Sequence, residues 1–417
     1  MAQLSPDAFA FGRDLMRVEE ALSLVTARIP PIAETEWVRL VEADGRVLVR
    51  SVIAPIKLPM FDNSAVDGYA VAHSDLNQDA PTRLPVVGRI SAGQGAEFRG
   101  ARGTSVRIFT GAPMPAGTDT VFMQEDVRVL ENGEVEFPSG LARGANCRAA
   151  GEDISRGAEA LAADRRLEPR DIALAAALGL PHLEVRRRPR VAVFSTGDEI
   201  GEPGAPLAPA AIYDSNRYAI MALLRRSSCE VTDLGILRDN RNAIQLSLSA
   251  AAKAHDLVVT SGGVSSGEED HVRAAIADRG TMVFWRLAIK PGRPVAMGVM
   301  NGTPLIGLPG NPVAVFVTFA YVVRPLIAAI AGTIPIPLIP STVTSGFRYR
   351  KKTGRREYLR VSLDRRGAHT IATKYPVDGA GVITSLTRTD GLVELSEDRL
   401  DVEPGDSVPF IDYRQLT

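Results

Sequence analysis

Between residues 191 and 331, short apolar runs alternate with amphipathic segments of helical length, and this alternation limits the possible folds more than any other feature of the sequence. Alternation at this spacing predicts a doubly wound, mainly parallel α/β sheet with right-handed crossovers and helices on both faces. The predicted strands are 191–194, 230–234, 257–260, 283–289, 295–299 and 305–306, and the predicted helices are 216–226, 243–254, 271–279 and 312–331.

The regions on either side of this segment contain short β runs separated by turns. Helices are predicted within 6–33 and at 167–178, and Asn132–Gly133 predicts a β-hairpin because both residues tolerate a positive φ. We therefore expect an α/β plus β protein of several domains, with small β-rich domains before and after the doubly wound α/β domain. The expected boundaries are 1–51 with 150–184 for a discontinuous helix-containing domain, 52–149 for an inserted β-rich domain, 185–332 for the α/β domain and 333–417 for a C-terminal β domain.

The composition argues against several classes of protein. Forty-eight Lys and Arg residues against 49 Asp and Glu residues give a net charge of -1, which removes the bulk electrostatic argument for a nucleic-acid partner. The longest apolar stretch, 312–323, is ended by Arg324 and Pro325, short of the ~20 residues that a membrane helix needs. Cys147 and Cys229 are the only cysteines, and no apolar signal segment follows a basic start, so we expect a cytoplasmic protein.

Three of the predicted strands end in glycine-rich turns. The turns contain Ser195, Thr196 and Gly197; Ser261, Gly262, Gly263 and Ser265; and Pro309, Gly310, Asn311 and Pro312. Open parallel sheets bind ligands beyond the carboxyl ends of their strands, where backbone N–H groups and helix N-termini hold anions. Any one of these turns is more simply an ordinary βα turn that needs small residues, but the three together predict a phosphorylated ligand. None has the spacing of a dinucleotide fingerprint or a P-loop.

Acidic residues accompany these turns, at Asp198, Glu199, Asp214, Asp239, Glu268, Glu269 and Asp270. Carboxylates beside phosphate repel it unless a divalent cation bridges them, and Mg²⁺ needs only one or two carboxylates together with phosphate oxygens and waters. The sequence therefore predicts a Mg²⁺ site. For Asp214, capping of the helix that begins near Asn216 is an equally good interpretation, and Glu268 and Glu269 fit solvent exposure in a first helical turn.

Basic residues follow in the segment from Arg286 to Arg293. Arg286 and Lys290 lie four residues apart, so on a regular strand they project to the same face, beside the anion-binding turns. Solvent-exposed charge is the alternative for either residue alone, whereas two on one face favour contact with a phosphate or another oxyanion. Three turn-rich segments of the first half, 59–70, 110–117 and 148–153, receive no function from composition.

Taken together, these segments closely resemble the MoeA-type molybdopterin molybdenumtransferases, the family that includes the E domain of gephyrin. The matching stretches are FDNSAVDGYA (61–70), TGAPMPAGTD (110–119), RAAGEDI (148–154), STGDE (195–199), YDSNR (213–217), TSGGVSSGEEDH (260–271), AIKPGRP (288–294) and GLPGNPVA (307–314). The resemblance implies a homodimer, made through the discontinuous first domain, and a molybdopterin-binding role for the α/β domain. It also implies transfer of molybdenum from molybdate into the dithiolene of adenylylated molybdopterin, with Mg²⁺ required and AMP released.

The resemblance further implies an active site between the α/β domain of one subunit and the β domain of the other. The β domain would supply Asp67, Thr110 and Asp153, and the α/β domain Glu199, Asp239, Asp270, Arg286 and Lys290, with Asp239 and Asp270 as Mg²⁺ ligands and the three turns and Arg293 as substrate-binding elements. Arg286 and Arg293 stand where lysine is usual in the family, Ala314 where serine is found, and Val382 where small polar residues are common. The molybdopterin adenylyltransferase and apo molybdoenzymes are the other implied partners. A pterin-binding scaffold without turnover and a tungstate-specific paralogue remain open as alternatives.

Overall fold

The computed structural model describes residues 15–26, 29–94, 100–264, 271–284, 286–366 and 369–416. A six-stranded sheet forms the centre of the α/β region. From one edge to the other its strands are Glu230–Leu237, Arg190–Thr196, Leu257–Ser261, Thr303–Leu308, Ala296–Met300 and Thr281–Phe284. The first four strands are parallel, and each of the last two is antiparallel to the strand before it. The mainly parallel sheet predicted from the sequence is confirmed.

The strand order reverses beside Arg190–Thr196. From this strand the chain passes to Glu230–Leu237 on one side, and then crosses to Leu257–Ser261 on the other side. In open α/β sheets, ligands bind at such a reversal, in the crevice beyond the carboxyl ends of the strands. The fold therefore places the expected ligand crevice at the turns after Thr196 and Ser261.

Helices cover both faces of the sheet, as a doubly wound fold requires. Alternate residues of a strand project to opposite faces, so Val191 and Val193 pack in one hydrophobic core, and Ala192 and Phe194 pack in another. The first core includes helix Asn216–Arg226 and the helix Pro312–Ile330, which we call the core helix; the second includes helices Arg241–Ala254 and His271–Arg279.

The core helix is long and apolar enough to cross a bilayer by length and composition alone. In this protein, however, 72% of its most apolar window is buried inside the structure, which is typical of a helix at the centre of a folded domain. Its helical turns run through Arg324 and Pro325, with a π-helical segment at Phe319–Val323 just before them. Proline lacks a backbone N–H, and a wider turn beside it lets the helix continue.

A second six-stranded sheet forms the β domain that precedes the α/β domain. Its strands, in spatial order, are Thr120–Met123, Gly68–Val71, Ser105–Ile108, Thr82–Ile90, Glu134–Phe137 and Arg128–Val129. The predicted hairpin is present, because Val129 pairs with Val135 and Gly133 supplies a φ of 83° at the turn. Among the described residues, the two hydrophobic cores of this domain contain residues of this domain alone, such as Val106 and Phe137.

Two separate stretches of chain build the domain that carries the β domain. Strand Thr35–Arg39 pairs antiparallel with His182–Arg186, and Val52–Ile53 pairs with Glu159–Leu161. Helix Pro169–Ala177, inside the predicted 167–178, starts at a capping box of Glu168 and Asp171. The core of this domain joins residues from both stretches: Val38, Ala43, Leu48, Leu161, Leu167, Ala175, Leu183 and Val185.

The first described helix, Val18–Thr26, packs away from this domain, although the sequence grouped it there. Val18 and Ala21 lie in the core of the α/β domain, and the Met16 N–H donates to the Arg286 carbonyl oxygen at 3.2 Å. The helix lies within the predicted 6–33, and residues 1–14, 27 and 28 lie outside the described part of the chain.

The C-terminal domain is a five-stranded barrel, built from Ser341–Ser345, Arg356–Arg366, His369–Lys374, Gly391–Leu395 and Ser407–Asp412. The barrel closes because Arg356–Arg366 pairs with both His369–Lys374 and Gly391–Leu395, and the remaining strands complete the ring. A two-residue strand from the α/β domain, Ile289–Lys290, pairs parallel with the start of Arg356–Arg366. The single strand predicted at 283–289 is therefore wrong, since the sheet strand ends at Phe284 and the next pairing belongs to the barrel.

Candidate functional site

The three glycine-rich turns lie side by side at the carboxyl edge of the sheet. Ser195 is in register with Ser261, and Ser261 is in register with Leu308, so the turns that follow these residues are neighbours. Gly262 has a φ of +90°, and a Cβ there would lie 2.7 Å from the Thr196 carbonyl oxygen. Only glycine fits this close approach.

Carboxylates gather at the turn after Arg190–Thr196. The Thr196 hydroxyl donates to Asp239 Oδ1 at 2.8 Å, and the Asp239 N–H donates to Asp198 Oδ1 at 3.2 Å. Glu199 closes over the same turn, because a Cβ on Gly197 would lie 2.6 Å from Glu199 Oε2. The structure thus brings together three of the predicted acidic residues, whereas Ser265 and Asp270 lie outside the described residues.

This donor set is small but compatible with Mg²⁺. Within the described part of the chain, no three His, Cys, Asp or Glu side chains are grouped closely enough to form a protein-only metal site. Mg²⁺ usually keeps several waters and takes one or two carboxylates with phosphate oxygens, so Asp239 and Glu199 supply a suitable number of oxygen donors. Asp239 Oδ1 accepts the bond from Thr196, and no bond to its Oδ2 is found within the described residues.

Asn216 is a site residue that the sequence analysis did not identify, because it placed this residue in the stretch YDSNR and at the start of a helix but gave it no role in the site. Its Nδ2 donates to Ser261 Oγ at 2.9 Å and to the Gly310 carbonyl oxygen at 2.7 Å, so it ties the second and third turns together. Asn216 Oδ1 and Ser195 Oγ are buried, and neither has a hydrogen-bond partner among the described residues. Buried polar atoms are rarely left unpaired, so these two point to a polar ligand in the crevice.

Asp214 has a structural role, which decides between the two interpretations of its sequence position. Its Oδ1 accepts from the Arg217 N–H at 3.1 Å and its Oδ2 accepts from Arg217 Nε at 2.9 Å. Both side chains are buried, and Asp233 and Glu202 also pair with the Arg217 guanidinium. Asp214 therefore caps the helix and neutralises a buried cation, and it is not available as a metal ligand.

A cavity of about 270 Å³ lies where the third turn meets the C-terminal barrel. The α/β side of the cavity contains predicted site residues, namely Lys290, Arg293, Pro309 and Asn311, together with Ala314. The barrel side was missed by sequence reasoning and contains Tyr349, Arg355, Glu357, Arg360 and Asp378. These residues carry no local motif, and only the three-dimensional packing of the barrel brings them to the site.

The turn that contains Val382 reaches the same cavity. The Val313 N–H donates to the Ala380 carbonyl oxygen at 3.1 Å, which joins this turn to the start of the core helix. Arg360 Nη2 donates to the Gly379 carbonyl oxygen at 3.1 Å and so holds the turn from the barrel side. In the sequence analysis, this part of the site was represented only by Val382, which stands where small polar residues are common in the family.

Lys290 is tied to the barrel. Its Nζ donates to the Tyr349 hydroxyl at 2.9 Å and to Glu357 Oε2 at 3.2 Å. Burial works to lower the pKa of Lys290, but the bond to Tyr349 and the negative charge of Glu357 outweigh it, and the pKa is raised from its ordinary value. The ammonium is therefore fully charged at neutral pH.

Arg286 and Lys290 do not lie on one regular strand, although the prediction of a shared face assumed that they do. No regular strand joins the two residues, since the chain leaves the sheet after Phe284 and pairs with the barrel only at Ile289–Lys290. The Arg286 side chain is exposed. The geometric argument for a two-cation oxyanion contact thus fails, while Lys290 and Arg293 line the cavity together.

The turn-rich segments of the first half join into one loop cluster of the β domain. Asp67 Oδ1 accepts from the Thr110 N–H at 2.8 Å and from its hydroxyl at 2.7 Å, and these bonds lower the pKa of Asp67. The Ala150 N–H donates to Asp62 Oδ1 at 2.7 Å, and the Asp153 N–H donates to the Leu58 carbonyl oxygen at 3.0 Å. Asp67, Thr110 and Asp153 therefore come from loops that hold one another in place.

Comparison with known proteins agrees with this architecture. Residues 16–179 match the family described as "MoeA N-terminal region (domain I and II)", residues 192–329 match "Probable molybdopterin binding domain", and residues 342–413 match "MoeA C-terminal region (domain IV)". A protein of Haemophilus influenzae named molybdopterin molybdenumtransferase is 36% identical over 405 residues, which cover 96% of this chain and 100% of that protein. The chain belongs to the MoeA family.

Other relatives agree with this assignment. A molybdopterin molybdenumtransferase of Nostoc is 39% identical over 76% of this chain and 74% of its own length. The crystal structure of a MoeA protein of molybdopterin biosynthesis from Pyrococcus horikoshii superposes with a TM-score of 0.82 at 28% identity, covering 96% of this chain and 100% of the other. The resemblance stated from the sequence and the multi-domain α/β plus β fold class are both confirmed.

Proposed function

We propose that this MoeA-family chain is a molybdopterin molybdenumtransferase that inserts molybdenum from molybdate into the dithiolene of adenylylated molybdopterin and releases AMP in a Mg²⁺-dependent reaction. The observation that supports it is the arrangement at one sheet edge. The glycine-rich turns, with two buried polar atoms that lack partners in the described part of the chain, lie between the carboxylates Glu199 and Asp239 on one side and the cation-lined cavity of Lys290 on the other.

The turns serve the phosphate groups of the substrate. Their glycines bring the backbone close to a ligand, and a ligand hydroxyl or amide can pair with Ser195 Oγ and Asn216 Oδ1. Asp239 and Glu199 would hold Mg²⁺, with Asp270 as the further ligand implied by the resemblance. When bound, the ion supplies positive charge to the phosphoanhydride that breaks when AMP is released.

Lys290 and Arg293 would offset the repulsion between the two anionic reactants. Molybdate and the dithiolene sulfurs are both anionic, so they repel each other unless fixed cations hold them together. Both residues line the cavity at the third turn. Arg293 keeps the charge of the lysine that is usual in the family, but it presents a planar donor fork instead of a compact ammonium. We therefore expect activity to be retained with an altered fit to the oxyanion.

Asp67, Thr110 and Asp153 complete the proposal through the partner subunit. In a homodimer, the loop cluster of one β domain would approach the crevice of the other chain and would bring the negative charge of Asp67, whose pKa is lowered by its bonds from Thr110, to that crevice. A cytoplasmic location, the adenylyltransferase as supplier of substrate and apo molybdoenzymes as recipients follow from the same assignment. The scaffold alternative gives no reason for Glu199 and Asp239 to be gathered at one turn, so we favour the enzyme.

The test is release of AMP from adenylylated molybdopterin in the presence of Mg²⁺ and molybdate, with tungstate compared in parallel. Asp239→Asn should lower the rate about 100-fold or more, because a charge that holds the cation is lost. Asp278→Asn is the matched control, since this exposed carboxylate pairs only with Arg241 among the described residues. Binding of the nucleotide without AMP release by the unaltered protein would favour the scaffold, and a response to tungstate alone would favour the paralogue.

A further inference from the structure

The contact between the α/β domain and the barrel is more specific than simple packing. Ile289–Lys290 adds to the barrel as a short parallel strand, with Lys290 in register with Glu357. The same two residues meet through their side chains, because Lys290 Nζ donates to Glu357 Oε2 at 3.2 Å. A residue of the proposed oxyanion cavity is thus held by a carboxylate from another domain.

Glu357 is fixed in place by its surroundings. Its side chain has 0% exposure, and both of its oxygens are occupied. Oε2 accepts from the Tyr349 hydroxyl at 2.6 Å as well as from Lys290, while Oε1 accepts from Arg355 Nε at 2.7 Å. A buried carboxylate that lost these partners would carry a large desolvation cost, so Glu357 cannot turn away without breaking the whole set.

Lys290 is held on one side only. An ammonium group has three hydrogen-bond donors, and Tyr349 and Glu357 each accept from it. Its side chain remains 42% exposed and lines the cavity beside Arg293 and Asn311. The bonds to Tyr349 and Glu357 therefore set the direction of the third N–H donor of Lys290, on a side chain that is otherwise long and flexible.

We propose that Glu357 and Tyr349 are positioning residues, which hold the Lys290 ammonium in the orientation that binds the oxyanion substrate. The inference rests on the proposed function, because it gives Lys290 the oxyanion as its ligand. It extends that function by assigning a role to two barrel residues and by making the docking of the barrel a condition for a complete oxyanion site.

Charge and position predict opposite effects when Glu357 becomes glutamine, which makes the test decisive. Loss of a negative charge near the cavity strengthens anion binding if charge alone matters. An amide has one acceptor oxygen, so glutamine cannot accept hydrogen bonds from Lys290 and Tyr349 on one side and from Arg355 on the other. If position matters more, Lys290 loses its orientation, and anion binding weakens about three- to tenfold, the usual effect of freeing one long side chain.

The experiment compares Glu357→Gln, Tyr349→Phe and Lys290→Gln in the full-length protein. We expect the KM for molybdate to rise about three- to tenfold in the first two variants, with kcat changed less, and we expect no further rise when Glu357→Gln is combined with Lys290→Gln. Glu397→Gln is the matched control, because it is another buried barrel carboxylate but pairs with Arg356. It should lower the melting temperature without moving KM.

A lower KM in Glu357→Gln, or additive effects of Glu357→Gln and Lys290→Gln, would overturn the proposal. Equilibrium binding of tungstate, measured by calorimetry without the pterin substrate, separates this inference from the proposed function. If the unaltered protein releases no AMP while tungstate binding weakens non-additively in the same variants, the positioning role is supported and the proposed reaction is not.

Discussion

Asp214 and Asn216, two residues apart at the start of one helix, are used in different ways. Both carboxylate oxygens of Asp214 accept hydrogen bonds from Arg217, and both side chains are buried, so Asp214 stabilises the fold. Asn216 donates through Nδ2 to the second and third turns, and its buried Oδ1 has no hydrogen-bond partner among the described residues. At the scale of residues, the polar group left unsatisfied marks the ligand site better than the charge does.

Asp214→Asn should therefore affect stability rather than metal use. Asparagine keeps one acceptor oxygen but loses the charge and one of the two bonds from buried Arg217, which still pairs with Asp233 and Glu202, so we expect a loss of about 1–3 kcal/mol of unfolding free energy. Urea unfolding should show this loss, while the Mg²⁺ concentration for half-maximal AMP release stays the same. Asp278→Asn is again the control, because an exposed pair contributes at most about 1 kcal/mol. A stable Asp214→Asn protein with a raised Mg²⁺ requirement would restore the ligand interpretation.

At the scale of elements, local patterns predicted what an element is but not what it packs against. Helix Asn216–Arg226 has the predicted bounds, because the signals for its start and its periodicity lie in its own residues. The Val18–Thr26 helix packs on the core helix, and Ile289–Lys290 pairs with the barrel; both choices depend on surfaces distant in sequence. The barrel side of the cavity, Tyr349 and Glu357 included, could not be predicted for the same reason.

The turn after Leu257–Ser261 gives a prediction at this scale. Gly262 and Gly133 both have positive φ, +90° and +83°, but only a Cβ at Gly262 meets the backbone, 2.7 Å from the Thr196 carbonyl oxygen. Alanine at either position must adopt the left-handed backbone conformation, which costs about 1–2 kcal/mol of unfolding free energy. Gly262→Ala should lose additional stability and should also displace the neighbouring turn, lowering nucleotide affinity.

Chemical unfolding and nucleotide titration of the two variants separate the effect of the Cβ contact at Gly262 from the conformational cost that both alanines share. Gly133→Ala should keep the nucleotide affinity of the unaltered protein, because nothing lies within 4 Å of its new Cβ. Equal behaviour of the two variants in both measurements would show that the approach of the first and second turns does not depend on glycine.

At the scale of the whole molecule, the hydrophobic cores do not follow the domain boundaries read from sequence. One core joins Val18 of the first helix, Tyr321 of the core helix, and Tyr358, Leu392 and Leu416 of the C-terminal region. In contrast, the two cores of the β domain share no described residue with the rest of the chain. The barrel has a core of its own as well, but the shared core couples it to the α/β domain, and we expect the two to lose stability together while the β domain does not.

Native-state hydrogen exchange can test this division. Leu392→Ala removes a fully buried side chain from the shared core and should cost about 2–5 kcal/mol. Because the core is shared, protection should fall by similar amounts in the barrel strand Arg356–Arg366 and in the sheet strand Arg190–Thr196, and not in the β-domain strand Ser105–Ile108. Phe137→Ala is the complementary variant, since Phe137 is equally buried in a core of the β domain alone, and it should reduce protection only there. Loss of protection confined to the barrel in Leu392→Ala would mean that the barrel opens independently, and Lys290 would then lose its partners from the barrel whenever that opening occurs.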